Sequence, residues 1–326
     1  MTTITRPEGD AQPPATSVKA LDRQMERSVI GESNLKRSLR RLRKHRMAVV
    51  GAVILVLIIL YVLIGSLIFP ESSSNFLDTS KRLMAPDAAH PFGTDQVGRD
   101  IFIRTIYGGQ ISLFIAVTAV AVQLAIGVTA GLLAGYFGGL VDTIIMRFAE
   151  AMLSIPQIFL ALIAVRIFAN AIPDFKIGGR EFSNTLVVMI IVLGATSWMR
   201  LSRIVRSVVL SVKEQEYITA ARSLGLPPRR ILLRHVLPNC IAPIIVSATL
   251  GVASAILLEA YLSFLGLGVR PPTATWGSII SEAKEFLAQG NWWYWFFPAV
   301  FIVLTVLGIN FLGDGLRDAF DPKSLK

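Results

Sequence analysis

Few residues in this chain are placed to do chemistry. Its three histidines, His45, His90 and His235, are scattered without metal-ligand spacing, and the lone Cys240 excludes an internal disulfide and a cysteine-based metal cluster. No G-x-x-x-x-G-K-[ST] phosphate loop occurs, so nothing in the chain is equipped to hydrolyse ATP alone. Ser154 has no identifiable base with which to act as a nucleophile. Three ionisable residues stand in apolar surroundings. Arg147 and Glu150 are three apart and can meet on one helix face. They read either as an interfacial ion pair or as pathway residues, because ionisable groups within membranes are often functional. Glu259 lies about 20 residues, or roughly 30 Å of helix, into an apolar run. That places it near the outer end of the run and favours an interfacial position over a proton relay.

The elements that must position these residues are themselves apolar. Of 326 residues, 53% are hydrophobic and 17% charged, against about 25% charged in ordinary soluble domains. The apolar residues form long uncharged runs, between Arg46 and Glu71, Arg104 and Asp142, Arg234 and Glu259, and Glu285 and Asp314. About 20 apolar residues suffice to cross a bilayer as a helix. The net charge of +10 then reflects basic residues gathered on the cytoplasmic side of a membrane rather than a nucleic-acid partner. Residues 1–18 are polar and contain proline, which excludes a cleavable signal there and predicts a disordered tail.

Six spans are predicted, at about 47–69, within 106–136, and at about 143–169, 184–201, 239–262 and 294–313. Residues 1–46 hold eleven Lys/Arg and 200–238 hold eight, whereas 70–105 hold four and the other outer loops two each. The positive-inside bias puts both basic segments in the cytoplasm. An even number of spans must therefore separate them, so 105–141 is one span and not two. Both termini are then cytoplasmic. The expected organisation is a disordered tail over 1–35, then a basic anchor, first span and first extracytoplasmic loop over 36–105. A core domain follows over 106–322, with a cytoplasmic loop at 200–238 and a short tail at 323–326.

Several residues are read structurally. Lys36–Arg46 has seven Lys/Arg in eleven residues and serves as a topology anchor or a site for anionic lipid. Gly127, Gly131 and Gly135 recur every four residues and let a second helix approach closely. Pro156 is expected to kink the third span. Trp292, Trp293, Tyr294 and Trp295 suit a membrane interface.

The most informative segment is EYITAARSLGLPPRRILLRHVLPN, 216–239. A short helix over 213–224 is predicted to end at Gly225 in a left-handed cap. Pro227 and Pro228 open a second helix to about Val236, and Pro238 starts the fifth span. Ala220 and Ala221 leave room for a partner surface.

This segment resembles the EAA loop of ABC importer permeases, with Ala220, Ala221, Gly225, Leu237 and Pro238 at matching places. Thr219 and His235 depart from the general pattern but fit the peptide and nickel permease branch, whose version also matches Tyr217, Arg222, Arg234 and Asn239. HPFGTDQVGRDIFIRTIYGGQISL (90–113), GYFGGLVD (135–142), LSFLGLGVRPPTATWGSII (262–280) and NFLGDGLRDAFDP (310–322) look like the same branch. The resemblance spans roughly 36–322 and points to the second, "C"-type, subunit of a dipeptide or oligopeptide importer. It implies an all-α, six-span bundle of the type I ABC importer permease kind in a bacterial or archaeal inner membrane. It also implies a homologous second permease, two ATPase subunits carrying ATP and Mg, an extracytoplasmic binding protein, and no nucleic acid. Tyr217, Ala220, Ala221, Gly225, Leu226, Arg229, Arg230, His235 and Pro238 would form the surface that couples to the ATPases. The first outer loop and 266–280 would face the binding protein. Nickel, glutathione or another small solute is the alternative cargo. A secondary transporter is the alternative class, although no internal repeat or midplane carboxylate cluster is visible. A channel would show a filter or charged ring, and none is legible.

Overall fold

The computed structural model describes residues 40–169, 173–177 and 180–320. The expected tails at 1–35 and 323–326, and the start of the basic run at 36–39, lie outside them. The chain is a helical bundle with one small hairpin, β1 (Phe175–Ile177) against β2 (Arg180–Phe182). Helix α1 covers Arg46–Ile68 and α2 Glu71–Ser74; α3 covers Ile101–Phe137, α4 Gly139–Leu153 and α5 Gln157–Phe168. Then come α6 (Asn184–Ala195), α7 (Trp198–Val212), α8 (Glu216–Ser223), α9 (Pro228–Ile231), α10 (Leu237–Phe264), α11 (Trp276–Ala283) and α12 (Trp292–Phe320). Among the described residues, five helical runs are long and apolar enough to cross a membrane, namely α1, α3, α6–α7, α9–α10 and α12; the bent pair α4–α5 supplies a sixth if counted as one span.

The helices depart from the expected spans where polar groups found partners. The second begins at Ile101 and not near 106, because the Asp100 side chain accepts from the backbone N–H of Phe102 and Ile103 and caps it. At 37 residues it is about 55 Å long and overshoots a hydrocarbon core of about 30 Å. The third is not continuous over 143–169. It breaks at Ser154–Pro156, and its two halves meet at 92°. Pro156 lacks the N–H that a continuing helix needs and biases Ile155 away from helical geometry. The fourth runs on to Val212 past a short break at Thr196–Ser197.

Close backbone approach assembles the bundle. A Cβ at Gly127 would lie 3.0 Å from the Trp198 carbonyl oxygen, at Gly131 2.6 Å from that of Ser202, and at Gly135 2.7 Å from Cβ of Val209. The three glycines thus seat α3 directly on α7. Gly51 and Gly308 do the same for α1 and α12, a Cβ at Gly51 falling 2.5 Å from the Gly308 oxygen.

At the end of the bundle opposite the segment 213–239, the chain after α10 folds back over the helices. Trp276 is fully buried; its indole N–H donates to the Thr105 carbonyl (2.9 Å) and its backbone N–H to Ser112 Oγ (3.1 Å). Glu259 lies beneath it. This residue, expected near the outer end of its run, is enclosed by protein: it is 1% exposed, and its hydrogen-bond partners among the described residues are hydroxyls. Its Oε1 accepts from Ser263 (2.7 Å) and Thr275 (2.8 Å), and its Oε2 from Ser112 (3.4 Å). The returning segment closes over the helix end and shuts it off from solvent. A second network joins the outer loop to α11. Asp95 pairs with Arg99 (2.5 Å) and Arg104 (3.2 Å), and both arginines reach Glu282 (2.6 and 3.0 Å). Burial works against the charge on Arg99, but Glu282 and Asp95 outweigh it and hold its pKa above the ordinary arginine value. Two of the four interface aromatics turn inward. Trp293 and Tyr294 are buried, with Tyr294 donating to Gln96 and Glu282, while Trp292 and Trp295 remain exposed.

Two outcomes are expected. Gly131→Leu drives a side chain into the Ser202 backbone and should cost at least ~1–3 kcal/mol, read as a lower unfolding temperature in detergent; an unchanged temperature would contradict the direct α3–α7 contact. Glu259→Leu strands the Ser263 and Thr275 hydroxyls and should cost about 1–3 kcal/mol, whereas Glu259→Gln retains an acceptor and should cost less. Equal unfolding temperatures for both variants and the parent would place Glu259 at the surface after all.

Candidate functional site

The segment 213–239 is built by caps. Helix α8 ends in a left-handed residue, Gly225 (φ +72°), where sequence reasoning put it. The Leu226 N–H donates to the Ala221 carbonyl (3.2 Å) and the Gly225 N–H to that of Arg222 (2.9 Å), the paired bonds of a Schellman cap. Leu226 then packs into the cluster that holds Ala221. Pro228 opens α9 at its first position. The fifth span does not start afresh at Pro238. A π turn over Leu232–Val236 carries α9 straight into α10. The wider turn makes room where Pro238 has no N–H to give the Arg234 carbonyl.

Ile218, Ala221, Ile231, Leu232 and Val236 face inward, against Leu201, Val205 and Val209 of α7. Ala221 is therefore part of the core, and its small size serves internal packing and not a partner surface. Tyr217, Ala220, Gly225, Arg229, Arg230 and Pro238 are exposed, while Leu226 and His235 are half-buried. Leu224, which sequence reasoning missed, is 80% exposed beside the cap; an apolar residue next to a capping glycine in a polar loop was its one signal. The segment thus presents a capped, outward-facing ridge that includes Tyr217, Leu224, Arg229 and Arg230.

Above it lies an open groove of about 710 Å³. Its walls come from α3 (Gln123), from the α4–α5 break, from the α6–α7 break and from α10 (Ser247 to Tyr261). The two helix breaks meet there, Gln157 Nε2 donating to Ser197 Oγ at 2.7 Å. Broken helices at membrane depth persist only where they line a cavity or are covered by protein. The groove is lined by amides, hydroxyls and apolar side chains, with Arg200 as the single charge and no carboxylate. Sequence reasoning did not find it, because its lining comes from residues more than a hundred positions apart. Arg147 and Glu150 do form a pair (3.2 Å), on an exposed face of α4 outside the groove lining. Glu259 does not line it either. Among the described residues, no three His, Cys, Asp or Glu side chains cluster so as to hold a metal.

Comparison with known proteins agrees with this layout. The profile of the family described as binding-protein-dependent transport system inner membrane component matches residues 127–326. That of the N-terminal TM domain of oligopeptide transport permease C matches residues 33–86. The chain is 40% identical to the dipeptide transport system permease protein DppC of Alkalihalophilus pseudofirmus, over 97% of this chain and 95% of that protein. It is 40% identical to the oligopeptide transport system permease protein OppC of Bacillus subtilis, over 89% and 90% of the two chains. With the OppC protein of Haemophilus influenzae it shares 37% identity over 93% of each. The chain belongs to the family of binding-protein-dependent transport system inner membrane components, as a multi-pass, C-type permease subunit of an ABC importer.

Proposed function

We propose that this chain forms one half of a peptide pathway across a bacterial or archaeal inner membrane. The carrying observation is the ridge at 216–230, ordered by its own caps and displayed outward, with nothing among the described residues covering it. A docking surface for an ATPase subunit accounts for such order in a cytoplasmic loop. A homologous second permease closes the groove, two ATPases supply ATP and Mg chemistry, and an extracytoplasmic binding protein delivers the solute to the outer cap. A peptide is the cargo, on the strength of the relatives' names and of a groove whose amides and hydroxyls can exchange hydrogen bonds with peptide groups.

Six spans with both termini in the cytoplasm fit this reading, the α4–α5 pair counting as one bent span. The turn at 135–142 touches the basic segment 206–222 through Asp142–Arg206 and Lys213–Gly135. That contact supports a reading in which the turn between the second and third spans lies on the same side as the 200–238 loop, the side that the charge count makes cytoplasmic.

Gly225→Asp tests the docking surface. A Cβ at Gly225 meets nothing within 4 Å, and aspartate is among the residues that tolerate the left-handed region, so the turn itself should survive. The charge lands on the exposed ridge and not in a tight internal cap. The expected outcome is normal expression with ATPase recovery in mild-detergent purification, and uptake of a labelled oligopeptide, reduced by about tenfold or more, equivalent to ~1.4 kcal/mol of docking energy. Normal recovery and normal uptake would refute the reading.

A further inference from the structure

Helix α4 is poorly anchored for an element that shapes a pathway. It buries one residue, Ala149, against Trp198 and Met199 of α7. It begins at two consecutive glycines in the left-handed region, Gly138 (φ +65°) and Gly139 (φ +53°), with open space where each Cβ would stand. Those glycines make a compliant joint, because glycine adopts such angles without steric cost. One strong contact fixes the helix start. The Arg206 guanidinium of α7 grips the Asp142 carboxylate through Nε and Nη2, each at 2.5 Å. Such two-pronged pairs set orientation as well as energy. The far end of α4 supplies Met152 and Leu153 to the groove.

The same turn is held from the α8 side. Lys213 Nζ donates to the Gly135 carbonyl (3.3 Å), and the Arg222 guanidinium of α8 sits 5.2 Å from the Tyr136 ring centre. Three cations of the cytoplasmic loop thus converge on residues 135–142. Helix α7 lies on α3 at the glycine contacts, and α8 packs on α7 through Ile218 and Ala221. A displacement of α8 that this packing passes to α7 therefore reaches α4 through Arg206 and Asp142, while the glycine joint lets α4 turn.

We propose that the Asp142–Arg206 pair is the strut that passes movement of the cytoplasmic helix Glu216–Ser223 to the broken third span, and so positions the groove wall during each ATP cycle. The proposal rests on the reading of α8 as an ATPase-docking helix. Asp142 and Arg206 are positioning residues, since neither lines the groove nor lies on the exposed ridge.

The test uses the complete transporter in proteoliposomes, with ATP hydrolysis and labelled-oligopeptide uptake measured in the same vesicles. Asp142→Asn should leave ATPase recovery intact and hydrolysis within about twofold, while peptide taken up per ATP falls by about tenfold, the loss expected when a coupling contact worth ~1.4 kcal/mol is removed. The exchanged pair, Asp142→Arg with Arg206→Asp, should recover much of that ratio. Should Asp142→Asn fail to accumulate, Arg206→Lys keeps the charge, loses the two-pronged grip and should show the same fall in smaller measure. Unchanged uptake per ATP in Asp142→Asn, or in Arg206→Lys, would overturn the proposal. So would an exchanged pair no better than Asp142→Asn, or an Asp142→Asn complex stripped of its ATPases, because the strut acts after docking. Failure of the docking reading shows separately, as normal ATPase recovery with Gly225→Asp.

Discussion

Inside a bilayer, burying apolar surface brings no gain, since lipid tails are as apolar as leucine; helices associate through close packing and polar contacts. The contact of α3 with α7 at Gly127, Gly131 and Gly135 meets that constraint by bringing backbone against backbone. The segment 213–239 hangs from it. Helix α7 carries the inner face against which Ile218, Ala221 and Ile231 pack, so the ridge at 216–230 keeps its place because α7 does. The Gly51–Gly308 contact secures α1 to α12 by the same means.

Rigid pairs leave irregular elements for function. The breaks at Ser154–Pro156 and Thr196–Ser197 would expose unpaired backbone groups to lipid if they faced outward, at several kcal/mol each. They face each other across the Gln157–Ser197 bond and open the groove. At the end of the bundle that holds α11, charged and hydroxyl side chains are enclosed together. Glu259 with its three hydroxyls, and Asp95, Arg99, Arg104 and Glu282 with one another, knit the returning segment 265–283 to α3 and the first outer loop.

Much of this was legible in the sequence, and the misses share a cause. Uncharged runs marked most of the helices that are long and apolar enough to span, because each charge at membrane depth is expensive. Gly225 could be read because a left-handed cap is a local requirement. Glycines at i, i+4 and i+8 could be read because one helix face suffices to define them. What escaped depends on which distant segment comes back. Arg104 sits inside a helix because Asp95 and Glu282 meet it there. Glu259 is enclosed because Thr275 returns above it. Gly51 shows no pattern of its own, and its partner Gly308 is on the last helix. Ala221 faces inward because α8 lies on α7, which the motif alone does not show. The angle at Pro156 was expected only as a kink, since proline breaks a helix without stating how far the halves turn.

The central claim is that the face bounded by the two helix breaks and α10 is a wet pathway wall and not a lipid-facing surface. Cysteine labelling tests it most directly, because the native Cys240 is fully buried. Single cysteines would be placed at Ser254, in the groove, and at Val56, on the outer face of α1, and the assembled transporter treated in its membrane with a small charged thiol reagent. The account predicts that Ser254→Cys reacts, at a rate that changes when ATP is added, and that Val56→Cys does not react. A Ser254→Cys protein as unreactive as Val56→Cys, with and without ATP, would contradict it.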